Sequence, residues 1–164
     1  NYVICKLGWD TSLETEDLIN DYIDAMYKEA APAMKEIFTE CRLWFARETG
    51  KNNWTSSSIQ LSPTVYSQYF DIGFVNGIFK KFDKAYESIK IYEKDKATYA
   101  TLKSHIDMEW LFPAKVAISS YRDSYRSEDM ARIMKNFKDI CGSLRISRTG
   151  EESSLSVDAF LSTF

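Results

Sequence analysis

Hydrophobic positions recur three or four residues apart along most of the chain, which is the spacing of one face of an α-helix. Residues that interrupt helices are scarce, with only 6 Gly and 3 Pro. The connections between the periodic segments are short, which favours antiparallel neighbours. The pattern therefore predicts an all-α, up-and-down bundle of about five helices, formed as a single helical domain over residues 1–164.

The first two predicted helices each carry a continuous apolar stripe. The first begins near Thr15, a good N-cap, and the second begins at Pro32, because the first helical position needs no N–H donor. Gly50 is expected to end the second helix. The inward residues are Leu18, Ile19, Tyr22, Ile23, Met26 and Tyr27 in the first, and Met34, Ile37, Phe38, Cys41, Trp44 and Phe45 in the second. If Trp44 is fully buried, Trp44→Ala should cost about 3–5 kcal/mol.

Three further helices follow. The third covers about residues 71–91, the fourth starts after a capping Asp95 and continues with a kink through Pro113, and the fifth runs from Ser127 to Gly142. Their inward residues are Val75, Ile78, Phe79, Phe82, Tyr86 and Ile89, then Tyr99, Leu102, Ile106, Trp110, Val116, Ala117 and Tyr121, then Met130, Ile133, Met134, Phe137, Ile140 and Cys141. Beyond them, residues 144–154 are expected to be irregular with a short strand at 145–147, and residues 157–164 to form one or two helical turns.

The first residues also have helical spacing but no cap before them, so residues 1–7 are interpreted as the last turns of a truncated helix. The chain is therefore expected to be a piece of a larger protein. Trp9 is expected to fill the space between this helix and the bundle. Where the missing element once joined, at least two of Val3, Ile4, Leu7 and Trp9 should lie in one exposed apolar patch.

Composition narrows the classes of function. The 164 residues are 45% hydrophobic and 27% charged, as in a folded domain, and no apolar run approaches the roughly 18 residues of a membrane-spanning helix. A net charge of −3 gives no electrostatic reason to bind nucleic acid or anionic lipid. The three cysteines lack metal-ligand or redox spacing, so buried free thiols are expected.

Candidate catalytic groups are few. His105 is the only histidine and lies near an apolar helix face, so a boundary position is favoured over catalysis. The pairs Asp21/Asp24 and Glu36/Glu40 lie one turn apart on polar faces, where carboxylates are solvated rather than tuned as an acid and a base. We therefore expect no catalytic residue, no metal site and no cofactor in this chain.

Trp54 is the single candidate for ligand contact. It stands alone in a polar loop over residues 51–63, where an aromatic ring can stack on a sugar, although an anchor tucked over the bundle is the commoner role. Asn53-Trp54-Thr55 also matches the N-glycosylation pattern.

Three stretches resemble a recurring pattern. They are Lys6-Leu7-Gly8-Trp9-Asp10, then Asp17-Leu18-Ile19-Asn20-Asp21-Tyr22, then residues 26–34, where this chain has Met26-Tyr27-Lys28 and the pattern has Tyr-Tyr-Gly. The helix containing Phe82-Asp83-Lys84-Ala85 and the segment 134–146 fit the same layout. The pattern occurs after the barrel of large bacterial glycoside-hydrolase-like proteins, similar to α-glucuronidases and hexosaminidase-type enzymes.

The resemblance implies a non-catalytic helical domain that packs against a (β/α)₈ barrel in a protein of polysaccharide breakdown, secreted or at the cell surface. The barrel would carry the chemistry, and carbohydrate is an expected partner of the whole. Two alternatives stay open. One is a stand-alone helical interaction or adhesion module, and the other is a small helical enzyme acting through Asp or Glu residues.

Overall fold

A computed structural model describes residues 2–51, 69–149 and 155–163, with side chains omitted at 48–51. It is an all-α helical bundle, as predicted. The described residues form seven α-helices, which we number in chain order: α1 Tyr2–Trp9, α2 Thr15–Tyr27, α3 Ala31–Lys51, α4 Ile72–Ser88, α5 Lys96–Tyr121, α6 Ser127–Ser143 and α7 Val157–Ser162. The five longer ones, α2 to α6, correspond to the five predicted helices. Short 3₁₀ segments are Lys28–Ala30, Ile89–Tyr92 and Arg122–Ser124.

Contacts divide the chain into two compact units. The first unit comprises Asn1–Arg42 and Lys80–Ile106, and the second comprises Leu43–Phe79 and Asp107–Phe164. Each unit contains its own set of buried apolar side chains.

The core of the first unit is built from the predicted stripes of α2, α3, α4 and α5. Its buried side chains include Leu18, Ile23, Tyr27, Met34, Ile37, Phe82, Ile89, Leu102 and Ile106. Phe82, Ile89 and Ile106 are almost completely removed from solvent. The helical period of the sequence therefore predicted most of the inward residues of these helices, because the apolar stripe of an amphipathic helix is the face that packs in the core.

The second unit has an aromatic core next to the described end of α3. The Trp44 ring lies 4.6 Å from that of Phe74, and Phe70 contacts both Phe74 and Phe112. The Trp44 Nε1 donates a hydrogen bond to the Tyr69 carbonyl oxygen. Trp44 is half-buried, whereas the predicted cost of about 3–5 kcal/mol for Trp44→Ala assumed full burial. We therefore expect this substitution to cost less free energy of unfolding.

Helix starts follow local capping chemistry. The Asp95 carboxylate accepts hydrogen bonds from the Thr98 backbone N–H at 3.2 Å and the Thr98 hydroxyl at 2.6 Å, which confirms the predicted cap of α5. These bonds lower the pKa of Asp95. Asp71 caps α4 in the same way, at 2.8 Å from the Phe74 N–H. Thr15 is the first residue of α2 rather than its cap, because Glu14 occupies the extended capping position.

The two glycines predicted to end helices do not do so. Gly50 lies inside α3, and Gly142 lies inside α6. The termination of α6 comes at Arg145, whose φ of 57° is left-handed. The Ile146 N–H then bonds the Cys141 carbonyl at 2.8 Å, while the Arg145 N–H bonds the Gly142 carbonyl at 3.2 Å. These two hydrogen bonds satisfy carbonyl groups that the last turn of the helix leaves without partners. They hold Arg145 in a backbone conformation that favours glycine.

Two predictions about irregular positions had different outcomes. Pro113 lies inside α5, and the helix continues past it as expected, since Val116 and Ala117 keep the apolar face buried. The strand predicted at 145–147 is wrong. The single antiparallel bridge within the described residues joins Arg148 and Ser156, because the chain first turns at Arg145 before it can pair.

Tyr125 offers a test of packing in the second unit through pH. Its hydroxyl donates a hydrogen bond to the Asn76 Oδ1 at 2.7 Å, and burial raises its pKa to about 12 from an ordinary 10.0. Folding thus favours the neutral phenol, so the stabilisation is complete below pH 10 and is lost as the pH rises from 10 to 12. Because the ring is only half-buried, we expect the loss to be about 1–2 kcal/mol.

The measurement is urea unfolding of the wild type and of Tyr125→Phe at several pH values from about 9 to 12. Tyr125→Phe cannot ionise, so it should be the less stable protein near pH 9, where it lacks the hydrogen bond, and should gain relative to the wild type toward pH 12. A difference between the two proteins that stays constant with pH would show that Tyr125 is not buried as described.

Lys28 carries the other left-handed backbone among the described non-glycine residues, at the break between α2 and the 3₁₀ turn. Its φ of 47° and ψ of −119° lie in a region that favours glycine, the residue that the resembling pattern has there. Such strain costs about 1–3 kcal/mol. The Lys28 ammonium lies 5.4 Å from the centre of the Tyr92 ring, an interaction of about 0.5–1 kcal/mol at an exposed site.

Lys28→Gly should therefore raise the free energy of unfolding by about 1 kcal/mol, since relief of strain exceeds the lost cation–π contact. Lys28→Ala is the matched control, because it removes the same ammonium but keeps the Cβ that causes the strain. Urea unfolding should find the alanine variant no more stable than the wild type. Equal gains from both variants would assign the effect to the charge instead.

Candidate functional site

The sequence-predicted ligand residue, Trp54, lies outside the described residues, as does the surrounding Asn53-Trp54-Thr55. Its proposed contact with a sugar stays a prediction.

His105 takes the boundary position expected for it. The half-buried ring donates from Nδ1 to the Met26 carbonyl oxygen at 2.9 Å, and its edge meets the Tyr27 ring, with centroids 6.2 Å apart. The imidazole thus links α5 to the end of α2. This arrangement accounts for the histidine as a structural residue of the first unit.

The carboxylate pairs lie on polar faces, as predicted. Asp21, Asp24 and Glu36 are exposed, and Asp24 pairs with Lys35 at 2.7 Å. Glu40 is half-buried and pairs with Lys81 at 2.5 Å. These four carboxylates are therefore open to solvent or held by a lysine, as is usual on the polar face of an amphipathic helix.

A buried carboxylate that the sequence pattern did not indicate is Asp107, which is 4% exposed on α5. It has an interaction partner, as a buried polar side chain requires. In the part of the chain that the structure describes, no three His, Cys, Asp or Glu residues gather as a metal site would need. Asp107 belongs to the second unit.

The cysteines differ in their surroundings. Cys141 is buried, and this burial raises the pKa of its thiol. Cys41 is half-buried and Cys5 is exposed, so the expectation of three buried thiols is wrong for Cys5. The reason is that α1 is covered on one side only, which sequence spacing does not reveal.

The most distinctive surface of the first unit lies at its N-terminal end. Ten large hydrophobic residues are exposed in the described chain, and five of them fall within α1, α2 and the turn between: Tyr2, Ile4, Trp9, Leu13 and Tyr22. We call these five the N-terminal apolar surface. Trp9 is 93% exposed and Ile4 is 74% exposed, so Trp9 does not fill the space that was predicted for it. An indole left almost wholly in water is unusual, because tryptophan is highly buried on average.

The orientation of α1 explains these exposures. Val3 and Leu7 are half-buried, and the Tyr2 ring lies 5.7 Å from that of Tyr22 on α2. At 100° per residue, Ile4 and Trp9 are about 140° apart around the helix, on different flanks. Ile4 and Trp9, two of the four residues named from the sequence, are therefore exposed, and their place in a single patch stays a prediction.

A groove of about 260 Å³ lies between α2 and α3. We call it the α2–α3 groove. Its wall is mainly apolar, and the aliphatic and aromatic side chains in it are Ile19, Tyr22, Ile23 and Phe38. The sequence stripe predicted all four as core, but Ile19 and Phe38 are half-buried and Tyr22 is 41% exposed.

Ion pairs join α2 to α3 at both ends of the groove. Arg42 lies 2.9 Å from Glu16, and Lys35 lies 2.7 Å from Asp24. The hydrogen bond from the Arg42 guanidinium, with its charge, lowers the pKa of Glu16. Because each of these charges already has an opposite partner, a group that binds in the groove meets an apolar wall rather than a net charge.

Within the described ranges, no helix combines the length and hydrophobicity that a membrane crossing requires. Comparisons of this chain with family models, with curated proteins and with solved structures found no match.

Proposed function

We propose that this chain is a non-catalytic helical domain that binds another folded domain through its N-terminal apolar surface. The observation that carries the proposal is the almost complete exposure of Trp9, with Ile4 and Tyr22 on the same two helices. Exposed aromatic side chains are the usual anchors of protein interfaces, where their burial supplies most of the binding energy.

The partner we propose is a (β/α)₈ barrel of the glycoside-hydrolase-like type, with this domain supporting the barrel in polysaccharide breakdown. Support comes from the resemblance of residues 6–34, which includes Trp9 and all of α2. Three of the five residues of the proposed interface, Trp9, Leu13 and Tyr22, lie within that segment of the chain. A stand-alone interaction or adhesion module is the second candidate, and the separate buried core of each compact unit favours it.

The test uses the barrel of a glycoside-hydrolase-like protein whose helical region has the pattern that residues 6–34 resemble. This barrel is expressed without its helical region and is titrated into the purified chain. We expect a complex that Trp9→Ala weakens by about 30-fold or more. Ile4→Ala should weaken it less, whereas Ile91→Ala is the matched control, since Ile91 is 68% exposed but lies outside the surface. A folded chain that binds no such barrel, or equal effects of Ile4→Ala and Ile91→Ala, would contradict the barrel role.

The absence of catalysis is tested separately. The chain should hydrolyse none of a panel of aryl glycosides and aryl uronides, because its paired carboxylates are solvated or bound to lysine. Turnover that survives repurification and disappears on replacement of one Asp or Glu would show that the small-enzyme alternative is right.

A further inference from the structure

The first unit carries both a protruding indole and an apolar groove. We infer that two copies of this chain pair through them, with Trp9 of each copy inserted in the α2–α3 groove of the other. This pairing rests on the proposed function in one respect, that the N-terminal apolar surface binds protein. The occupant of the groove is a second copy of this chain.

The sizes of the two features match. An apolar cavity of about 150 Å³ accommodates a benzene ring. The α2–α3 groove, at about 260 Å³, has room for the larger two-ring indole of Trp9. Its apolar wall of Ile19, Ile23 and Phe38 offers dispersion contacts to an aromatic side chain.

Their positions also suit a symmetric pair. Tyr2 and Trp9 are seven residues apart on α1, so both lie on the same side of the helix, separated by about 10 Å along its axis. The Tyr2 ring contacts that of Tyr22, which lines the groove. The indole and the groove are therefore near each other on the first unit. A twofold axis can then place each indole over the groove of the other copy, and both contacts form together.

The pair should be weak. An aromatic side chain buries about 150–250 Å². Two indoles therefore contribute about 300–500 Å², and even with their grooves and the adjacent Tyr22 and Leu13 the buried area falls below the roughly 1,200–2,000 Å² of a stable interface. We expect a dimer that is half-formed at about 10–500 µM chain.

Sedimentation velocity over that range of concentrations measures the association. Trp9→Ala should raise the dissociation constant by about 30-fold or more, because the indole is lost from both contacts. Thr39→Arg should do the same by placing a long charged side chain across the groove from an exposed position in its wall. Ile91→Ala is the control and should leave the constant unchanged. Circular dichroism establishes that each variant is folded.

Mixing the two defective variants tests the geometry itself. A labelled Trp9→Ala chain keeps its groove, and an unlabelled Thr39→Arg chain keeps its indole. Amide NMR shifts in the labelled chain should change near Ile19, Tyr22 and Phe38 when the Thr39→Arg chain is added, and should not change when unlabelled Trp9→Ala chain is added.

Each outcome separates this inference from the proposed function. A wild-type chain that stays monomeric at about 500 µM, a dimer that Trp9→Ala leaves intact, or a mixture without shifts in the groove would overturn the inference. Binding of the barrel by a monomeric chain would leave the proposed function standing alone. A dimer that binds no barrel would support the inference and reject the barrel as partner.

Discussion

Phe82→Ala is expected to lower the free energy of unfolding by about 3–5 kcal/mol, a larger loss than truncation of the half-buried Trp44 should cause. Phe82 is 1% exposed and is among the largest side chains removed almost wholly from solvent. It lies on α4 within the first unit, on a stripe with Ala85 and Ile89, both 0% exposed. Truncation removes the transfer free energy of the ring and leaves a cavity that a packed core closes only in part.

Urea unfolding followed by circular dichroism measures this loss. Phe82→Leu should be milder, since it fills most of the cavity, and Ile91→Ala should stay within about 0.5 kcal/mol because Ile91 is exposed. If Phe82→Ala costs no more than Ile91→Ala, α4 does not present this face to the core.

Trp44→Ala should cost about 2–4 kcal/mol, below the range for a fully buried aromatic residue, because the ring is half-buried. Three contacts are lost together: the ring contact with Phe74, the hydrogen bond to the Tyr69 carbonyl, and the Arg47 guanidinium that lies 3.9 Å from the ring centre. Exposed cation–π contacts contribute about 0.5–1 kcal/mol, so the lost ring packing dominates.

Trp44→Phe separates the ring from its N–H. It keeps an aromatic group against Phe74 but cannot donate to Tyr69, so it should cost about 1–2 kcal/mol. Both variants are compared with the wild type by urea unfolding followed by circular dichroism. Equal losses for the alanine and phenylalanine variants would mean that the hydrogen bond, and not the ring, anchors this residue.

The inward faces were predictable because amphipathic periodicity is a local property. Val75, Ile78 and Phe82 on α4 are buried as their spacing indicates, and Met130 and Ile133 on α6 likewise. Capping by Asp95 was equally predictable, since a carboxylate three residues before a free backbone N–H needs no distant partner. The ends of helices were harder to predict. Gly142 ends a helix only if the backbone leaves the helix at that residue, and the hydrogen bonds of the Arg145 and Ile146 N–H groups show that the chain leaves α6 later.

The candidate site was only partly predictable. An exposed patch with two of Val3, Ile4, Leu7 and Trp9 was expected, but the sequence did not single out Ile4 and Trp9, and it did not indicate the α2–α3 groove. Ile19, Tyr22 and Phe38 belong to stripes that a sequence presents as wholly inward. A groove forms where the apolar stripe of a helix is wider than the surface that neighbouring helices cover. The width of the covered surface depends on how the two helices pack against each other.

The sequence by itself thus determined the helical class, most of the inward residues and the Asp95 cap of α5, because each depends on residues within one or two turns. Tertiary structure decided that Trp9 is left in water, that Ile19 and Phe38 line a groove, and that Lys28 adopts a conformation suited to glycine. These outcomes depend on contacts between segments far apart in the chain, such as Glu16 with Arg42, which local periodicity does not encode.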